Sequence, residues 1–270
     1  MRRAAAGLLL GALILTGCAA GSPRDSSLPG DEKGGSATSG PGLSGEVTVF
    51  AAASLRTAFD DIAEAFEQQH PGVDVKPIVY DGSSTLVTQL QEGARADVLA
   101  TADEDSMHML VDDGLVSDPR IFATNTLVVI TPPENPGRVT ALSDLAEAVT
   151  VLCAPEVPCG KASSTLLDGA GVDVTPASLE QNVTAVLQKV AAGEADAGLV
   201  YATDARPGDG PCDASAAEVC SFRPENWDDV VNRYPVATLD GASAAGVAFA
   251  EFVRGPEAQQ ILDDLGFGHP

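Results

Sequence analysis

The chain has 270 residues, 44% of them hydrophobic but only 4% aromatic, with 27 glycines, 18 prolines and a formal charge of −24. That length can bury a sizeable core, and the composition is that of an Ala/Val/Leu-rich α/β protein, not a disordered chain. So acidic a surface repels a phosphate backbone, which excludes nucleic acid as a partner, and any anion site has to be local and built from oriented dipoles.

The first stretch, MRRAAAGLLLGALILTGCAA, sets Arg2 and Arg3 ahead of an apolar run from Ala4 to Leu15 and closes on Leu15-Thr16-Gly17-Cys18. The run is too short for a permanent membrane span and has the layout of a secretory leader. Its Leu-Thr-Gly-Cys ending resembles the lipobox of bacterial lipoproteins, which implies a signal peptide over 1–17 and a lipid on Cys18. An ordinary secretory leader with an incidental cysteine is the alternative. Residues 19–45 are rich in Gly, Ser and Pro, so 18–45 is expected to be the lipidated cysteine and a flexible tether.

From residue 46 strands and helices alternate. EVTVFAA reads as a strand, and the helix after it carries Leu55, Phe59, Ile62, Ala63 and Phe66 on one stripe up to a stop at His70-Pro71-Gly72. VDVKPIVY is a strand, DGSSTLVTQLQEGA a helix opened by serines, ADVLATA a strand, and DEDSMHMLVDDGLV a helix stopped by Gly114. TNTLVVITPP is a strongly apolar strand able to carry the chain out of a first lobe. Then follow ALSDLAEA, the strand VTVLCA, the helices ASSTLLDGAG and NVTAVLQKVAAGEA, and the strand DAGLVYATDA. RYPVATLDG and the helical run to Phe267 return to the first lobe. This order predicts two α/β lobes, 46–126 plus 237–270 and 127–236, each a mostly parallel sheet flanked by helices, with a ligand cleft between them.

Four of the five cysteines remain once Cys18 is set aside, and they suit an oxidising compartment. Cys153 with Cys159 and Cys212 with Cys220 form the simplest of three pairings. A metal site is the competing reading, weakened because the spacings are not Cys-x-x-Cys and the three histidines lie in unrelated contexts.

Small and polar residues cluster where strands give way to helices: Ser54, then Gly82-Ser83-Ser84, Cys159-Gly160 and Asn182-Val183, with Tyr201 closing the strand AGLVY. A helix N-terminus offers free N–H groups and a partial positive charge, and so holds an anion without a formal counter-charge. Taken singly, Ser54, Ser83 and Asn182 read equally as N-caps and Tyr201 as a core residue. No P-loop and no Gly-x-Ser-x-Gly elbow is present, and no histidine sits near a candidate serine, so neither nucleotide binding nor catalysis is expected.

In order and wording, VTVFAAASL, SSTLVTQLQEGARADVLATAD, NTLVVI, VTAVLQKVAAGEADAGLVYATDA and FVRGPEAQQILDDLGF closely resemble the molybdate-binding substrate proteins of ABC transporters, over residues 46–268. The resemblance implies a type II periplasmic-binding fold that closes on molybdate or tungstate, with no cofactor and no enzymatic activity. It implies a monomer whose partners are an ABC permease and its ATPase, lipid-anchored on the extracytoplasmic face. Sulfate or phosphate on the same fold is the alternative ligand. Carried over, Ser54 and Ser83 each supply a hydroxyl and a backbone N–H from one lobe. Cys159 and Val183 supply N–H groups, and Tyr201 its phenol, from the other. Two positions depart from the family: Cys159 stands where alanine is common, and Asp81 where small residues are usual. The Asp81 side chain is expected to point to solvent.

Overall fold

The computed structural model describes residues 42–205 and 217–270. The leader, Cys18, most of the tether, and Cys212 lie outside the described residues.

The expected first strand is two. β1 (Ser44–Val47) begins within the stretch read as tether and pairs in parallel with β3 (Gly72–Val75), whereas β2 (Val49–Ala52) enters the main sheet. VDVKPIVY divides in the same way, into β3 and β4 (Val79–Asp81), around Pro77, which has no N–H to give a ladder. Between β2 and β3 lies α1 (Arg56–Gln69), with Phe59, Ile62 and Phe66 fully buried and Ala63 only half-buried.

The main sheet also contains β5 (Val98–Ala100), β6 (Arg120–Thr131), β7 (Thr150–Cys153), β8 (Ser178–Glu180), β9 (Ala197–Tyr201) and β11 (Val231–Thr238), with β10 (Cys220–Phe222) paired to β6. The strand order is β4-β2-β5-β11-β6-β9-β7-β8. β4, β2 and β5 run parallel at one side, and β9, β7 and β8 run parallel at the other. Two antiparallel strands join these sides. The first part of β6 pairs with β11 through Thr126, and its fully buried run Leu127–Ile130 pairs with β9. The fold is therefore the two-lobed α/β architecture expected, with two crossing strands in the middle.

The two sides repeat one another locally. Asp97, just before β5, accepts from Thr48 N–H at 2.8 Å, and Asp196, just before β9, accepts from Val149 N–H at 3.0 Å. Each aspartate also sends its own N–H back to the same partner's carbonyl, at 2.8 Å in both cases.

Helices cover the sheet: α2 (Ser83–Gln91), α3 (Glu104–Asp112), α4 (Pro158–Ala170), α5 (Val183–Ala191), α6 (Ala244–Val253) and α7 (Pro256–Asp264). The last two, the helices expected to close the chain, are separated by Gly255-Pro256, since proline fits the first turn of a helix but not its interior. The few aromatics are concentrated. Ring centroids step from Phe59 to Phe122 (5.7 Å), to Tyr234 (6.4 Å), to Tyr201 (5.8 Å), linking the core under α1 to the middle of the sheet. Each such buried ring contributes about 2–3 kcal/mol of hydrophobic stabilisation.

Candidate functional site

Ser54, Ser83, Cys159, Val183 and Tyr201, taken from separate stretches of sequence, line one small cavity beyond the C-terminal ends of β2, β4 and β9. About 20 Å³ of it is reachable by the centre of a water molecule, which is room for a small compact solute. Larger hollows occur elsewhere on the molecule, including one of about 480 Å³ near Arg95 and Asp240.

Each wall is built by local rules. After β2, Ala52-Ala53 carry almost no bulk, and Ser54 sits in a single 3₁₀ turn, Ala53–Leu55, that precedes α1. The α-helix that sequence starts at Leu55, with Ser54 at its opening, begins at Arg56, so Ser54 lies in the turn that leads into it. Ser83 is the first residue of α2, with Gly82 as its N-cap. Pro158 opens α4 and places Cys159 in its first turn, four residues earlier than the helix expected there. Asn182 caps α5 by accepting Ala185 N–H at 3.0 Å, which leaves Val183 as the first helical residue. First-turn amides have no acceptor within their own helix, so those of Ser83, Cys159 and Val183 are open donors. The lining contains no Lys, Arg or His. Among the described residues there is likewise no cluster able to hold a metal ion.

Cys159 is tied to Cys153 by a disulfide with Cα atoms 5.7 Å apart, which joins the end of β7 to the first turn of α4 and removes both from metal ligation. Gly160 makes the close approach possible, because a Cβ there would lie 1.8 Å from the Ala154 carbonyl oxygen. Cys220 is also disulfide-bonded, while its expected partner, Cys212, is outside the described residues.

Behind the cavity lies a polar layer that sequence reasoning missed. Ser54 Oγ is 3.0 Å from Tyr234 Oη, Ser83 Oγ accepts from Ala102 N–H at 3.0 Å, and Tyr201 Oη accepts from Asn232 Nδ2 at 2.9 Å. Burial pushes the Tyr201 phenol well above its ordinary pKa, with Tyr234 and nearby carboxylates adding to the effect, so it stays protonated and able to donate. Tyr201 N–H is held at 3.0 Å by Asp204, whose carboxyl is pushed up to about 7 by burial although the residue as a whole is partly exposed. Asn125 and Asn232, polar residues inside otherwise apolar strands, were the one sequence signal for this layer.

Asp81 overturns an expectation. It does not point to solvent but lines the cavity, where Oδ1 accepts from its own neighbour Gly82 N–H at 2.7 Å and from Asn182 Nδ2 at 2.9 Å. A carboxylate at the C-terminal end of a strand, just before a helix, has free N–H groups within reach, and these outweigh solvation. The contact belongs to a set that joins the cavity's two walls. Ser84 Oγ donates to the Glu156 carbonyl at 2.8 Å, and Lys161 lies 3.3 Å from Asp103 and 3.1 Å from Asp105. Burial disfavours the Lys161 charge, yet those two carboxylates hold its pKa above the usual lysine value. Gly82 approaches so closely that a Cβ would lie 2.1 Å from the Gln181 carbonyl oxygen. The two walls are in contact around the cavity.

A two-lobed α/β fold with a small, donor-lined cavity between its halves defines a solute-binding protein. The chain belongs to the bacterial extracellular solute-binding proteins, whose family model matches residues 47–268. It is 41% identical over 229 residues to the molybdate-binding protein ModA of Mycobacterium tuberculosis H37Rv, covering 83% of this chain and 85% of that one. Identity to the molybdate-binding protein ModA of Escherichia coli K12 is 32% over 237 residues, covering 83% and 89%. Among solved structures, the periplasmic molybdate-binding protein of Azotobacter vinelandii superposes with a TM-score of 0.68 at 21% identity, over 83% of this chain and 99% of that one. The family is one of binding proteins, so the site calls for no catalytic machinery.

Proposed function

We propose that the protein captures molybdate, and tungstate with it, outside the cell membrane and delivers it to an ABC permease and its ATPase. The carrying observation is the cavity itself: three helix-opening turns and three hydroxyl groups converge on a lining without a cationic side chain. A dianion there is held by the N–H groups of Ser54, Ser83, Cys159 and Val183 and by the O–H groups of Ser54, Ser83 and Tyr201. Relatives that carry the molybdate-binding name cover most of the chain. The ligand-binding lobes are 46–126 plus 237–270 and 127–236, the first carrying Ser54 and Ser83 and the second Cys159, Val183 and Tyr201. The ligand favours the closed state by touching both. Signal cleavage after residue 17 and a lipid on Cys18 keep the monomeric body at the extracytoplasmic face.

Selectivity follows from the donor inventory. Molybdate, tungstate and sulfate are fully deprotonated near neutral pH and need only donors. Hydrogen phosphate brings a proton that needs an acceptor, and one unmatched buried polar group costs about 1–3 kcal/mol. Asp81 is the one observation that favours hydrogen phosphate, but its Oδ1 already accepts two N–H donors. Competition calorimetry with molybdate, tungstate, sulfate and phosphate tests the reading. Molybdate and tungstate are expected to bind far more tightly than the other two, and a preference for sulfate or phosphate would overturn the assignment.

A further inference from the structure

Each cavity hydroxyl is backed by another group, and for Tyr201 and Ser83 the direction of the hydrogen bond is fixed by elimination. Asn232 Nδ2 lies 2.9 Å from the Ala102 carbonyl oxygen, which can only accept, so the atom facing it is the amide nitrogen. The same nitrogen is 2.9 Å from Tyr201 Oη, which must therefore accept and keeps its own proton for another direction. Ala102 N–H can only donate, so Ser83 Oγ accepts there and its proton is likewise free.

Asn125, the register partner of Asn232 on the crossing strands, is oriented in the same way. Its Oδ1 accepts from Thr126 N–H at 2.9 Å, which leaves Nδ2 facing Thr203 Oγ1 at 2.8 Å. Tyr234 Oη lies 3.0 Å from Ser54 Oγ, a contact in which either hydroxyl can donate. Asn125 and Asn232 are 4% and 8% exposed, so water does not compete for these directions.

Building on the oxyanion reading above, we infer that Asn232, acting through Tyr201, is a specificity-determining positioning residue that turns the Tyr201 hydroxyl proton away from the amide and toward the cavity. From this layer a ligand then meets hydroxyl donors. The Tyr201 and Ser83 oxygens each accept one N–H from behind, so the hydroxyl proton has no acceptor on that side and donation into the cavity is favoured over accepting the proton of a hydrogen-bearing oxyanion. Rejection of hydrogen phosphate or hydrogen arsenate thus begins on the crossing strands, in a residue that does not touch the ligand.

The test is the ratio of molybdate to hydrogen-phosphate affinity, taken by competition calorimetry at mildly alkaline pH. In Asn232→Asp the carboxylate accepts the Tyr201 proton and turns an oxygen lone pair toward the cavity. Its added charge repels both dianions alike, so the ratio isolates the proton's direction. The ratio is expected to fall roughly tenfold to a hundredfold, and Asn232→Leu to fall less, since leucine releases the phenol without reversing it. In a Tyr201→Phe background, Asn232→Asp should leave the ratio unchanged. An unchanged ratio in Asn232→Asp alone, or the same fall with and without the Tyr201 hydroxyl, overturns the inference. Should Asn232→Asp fail to fold, Asn232→Leu carries the test: the ratio falls because the phenol is released, and a constant ratio is the contrary result. Wild-type protein separates the two levels. If it prefers sulfate to molybdate, the molybdate reading fails and the same ratios are taken with sulfate. If it prefers hydrogen phosphate to both, the donor-only cavity itself is wrong.

Discussion

The Tyr201 hydroxyl meets a buried amide on one side and the cavity on the other, so its removal can be read in two ways. Tyr201→Phe keeps the ring in place and leaves no void. It should weaken molybdate binding roughly tenfold and cost the ligand-free protein about 1 kcal/mol for the unpaired Asn232 donor. Equal calorimetric affinity in the variant would remove Tyr201 from the site. Asp204 has a different signature. Its folded pKa is raised to about 7, so between the ordinary carboxylate range and that value the folded state holds a proton that the unfolded chain has lost. Its contribution is therefore full at low pH and disappears as pH climbs through about 7. Against Asp204→Asn, wild-type stability should decline across that window by on the order of 2 kcal/mol after allowance for solvent screening. Parallel melting curves that keep a constant gap from pH 4 to 8 would show that Asp204 titrates normally.

Among the elements, the loop before α2 and the first turn of α4 are the most constrained. Gly82 has an ordinary φ of −59°, so alanine fits its backbone, yet the added Cβ would meet the Gln181 carbonyl oxygen at 2.1 Å. Gly82→Ala should leave each side of the sheet intact and keep the two walls apart. The expected result is roughly tenfold or greater loss of molybdate affinity with little change in ligand-free melting. Small-angle scattering with undiminished ligand-driven compaction would contradict this. The disulfide acts on the fold more than on the ligand. Replacing both Cys153 and Cys159 by alanine opens a short loop and should cost about 2 kcal/mol, read from the denaturant midpoint. In the sequence, the helix starts were legible because small and capping residues mark them. The position of Ser54 in a 3₁₀ turn and the start of α4 at Pro158 were not, since hydrophobic periodicity registers a helix body better than its first turn.

For the whole molecule, the proposed molybdate capture makes closure and ligand binding one equilibrium. Saturation with molybdate at about a thousand times Kd should raise unfolding stability by about 4 kcal/mol. Asp81, Ser84 and Lys161 already join the two walls around the cavity without a ligand. Strand–helix alternation, buried stripes and turn residues were enough, with the family resemblance, to establish from sequence a two-lobed α/β binding protein and the residues that meet at its cavity. These depend on local periodicity and on short motifs, which a single sequence carries in full. The inward turn of Asp81, the shared register of Asn125 with Asn232, and the backing of Ser54 by Tyr234 were decided only in three dimensions. Residues 54 and 234, like 81 and 182, are far apart along the chain, and no local pattern records which buried donor will find which acceptor. That pairing is set when the crossing strands bring the two sides together and every buried polar group must be satisfied.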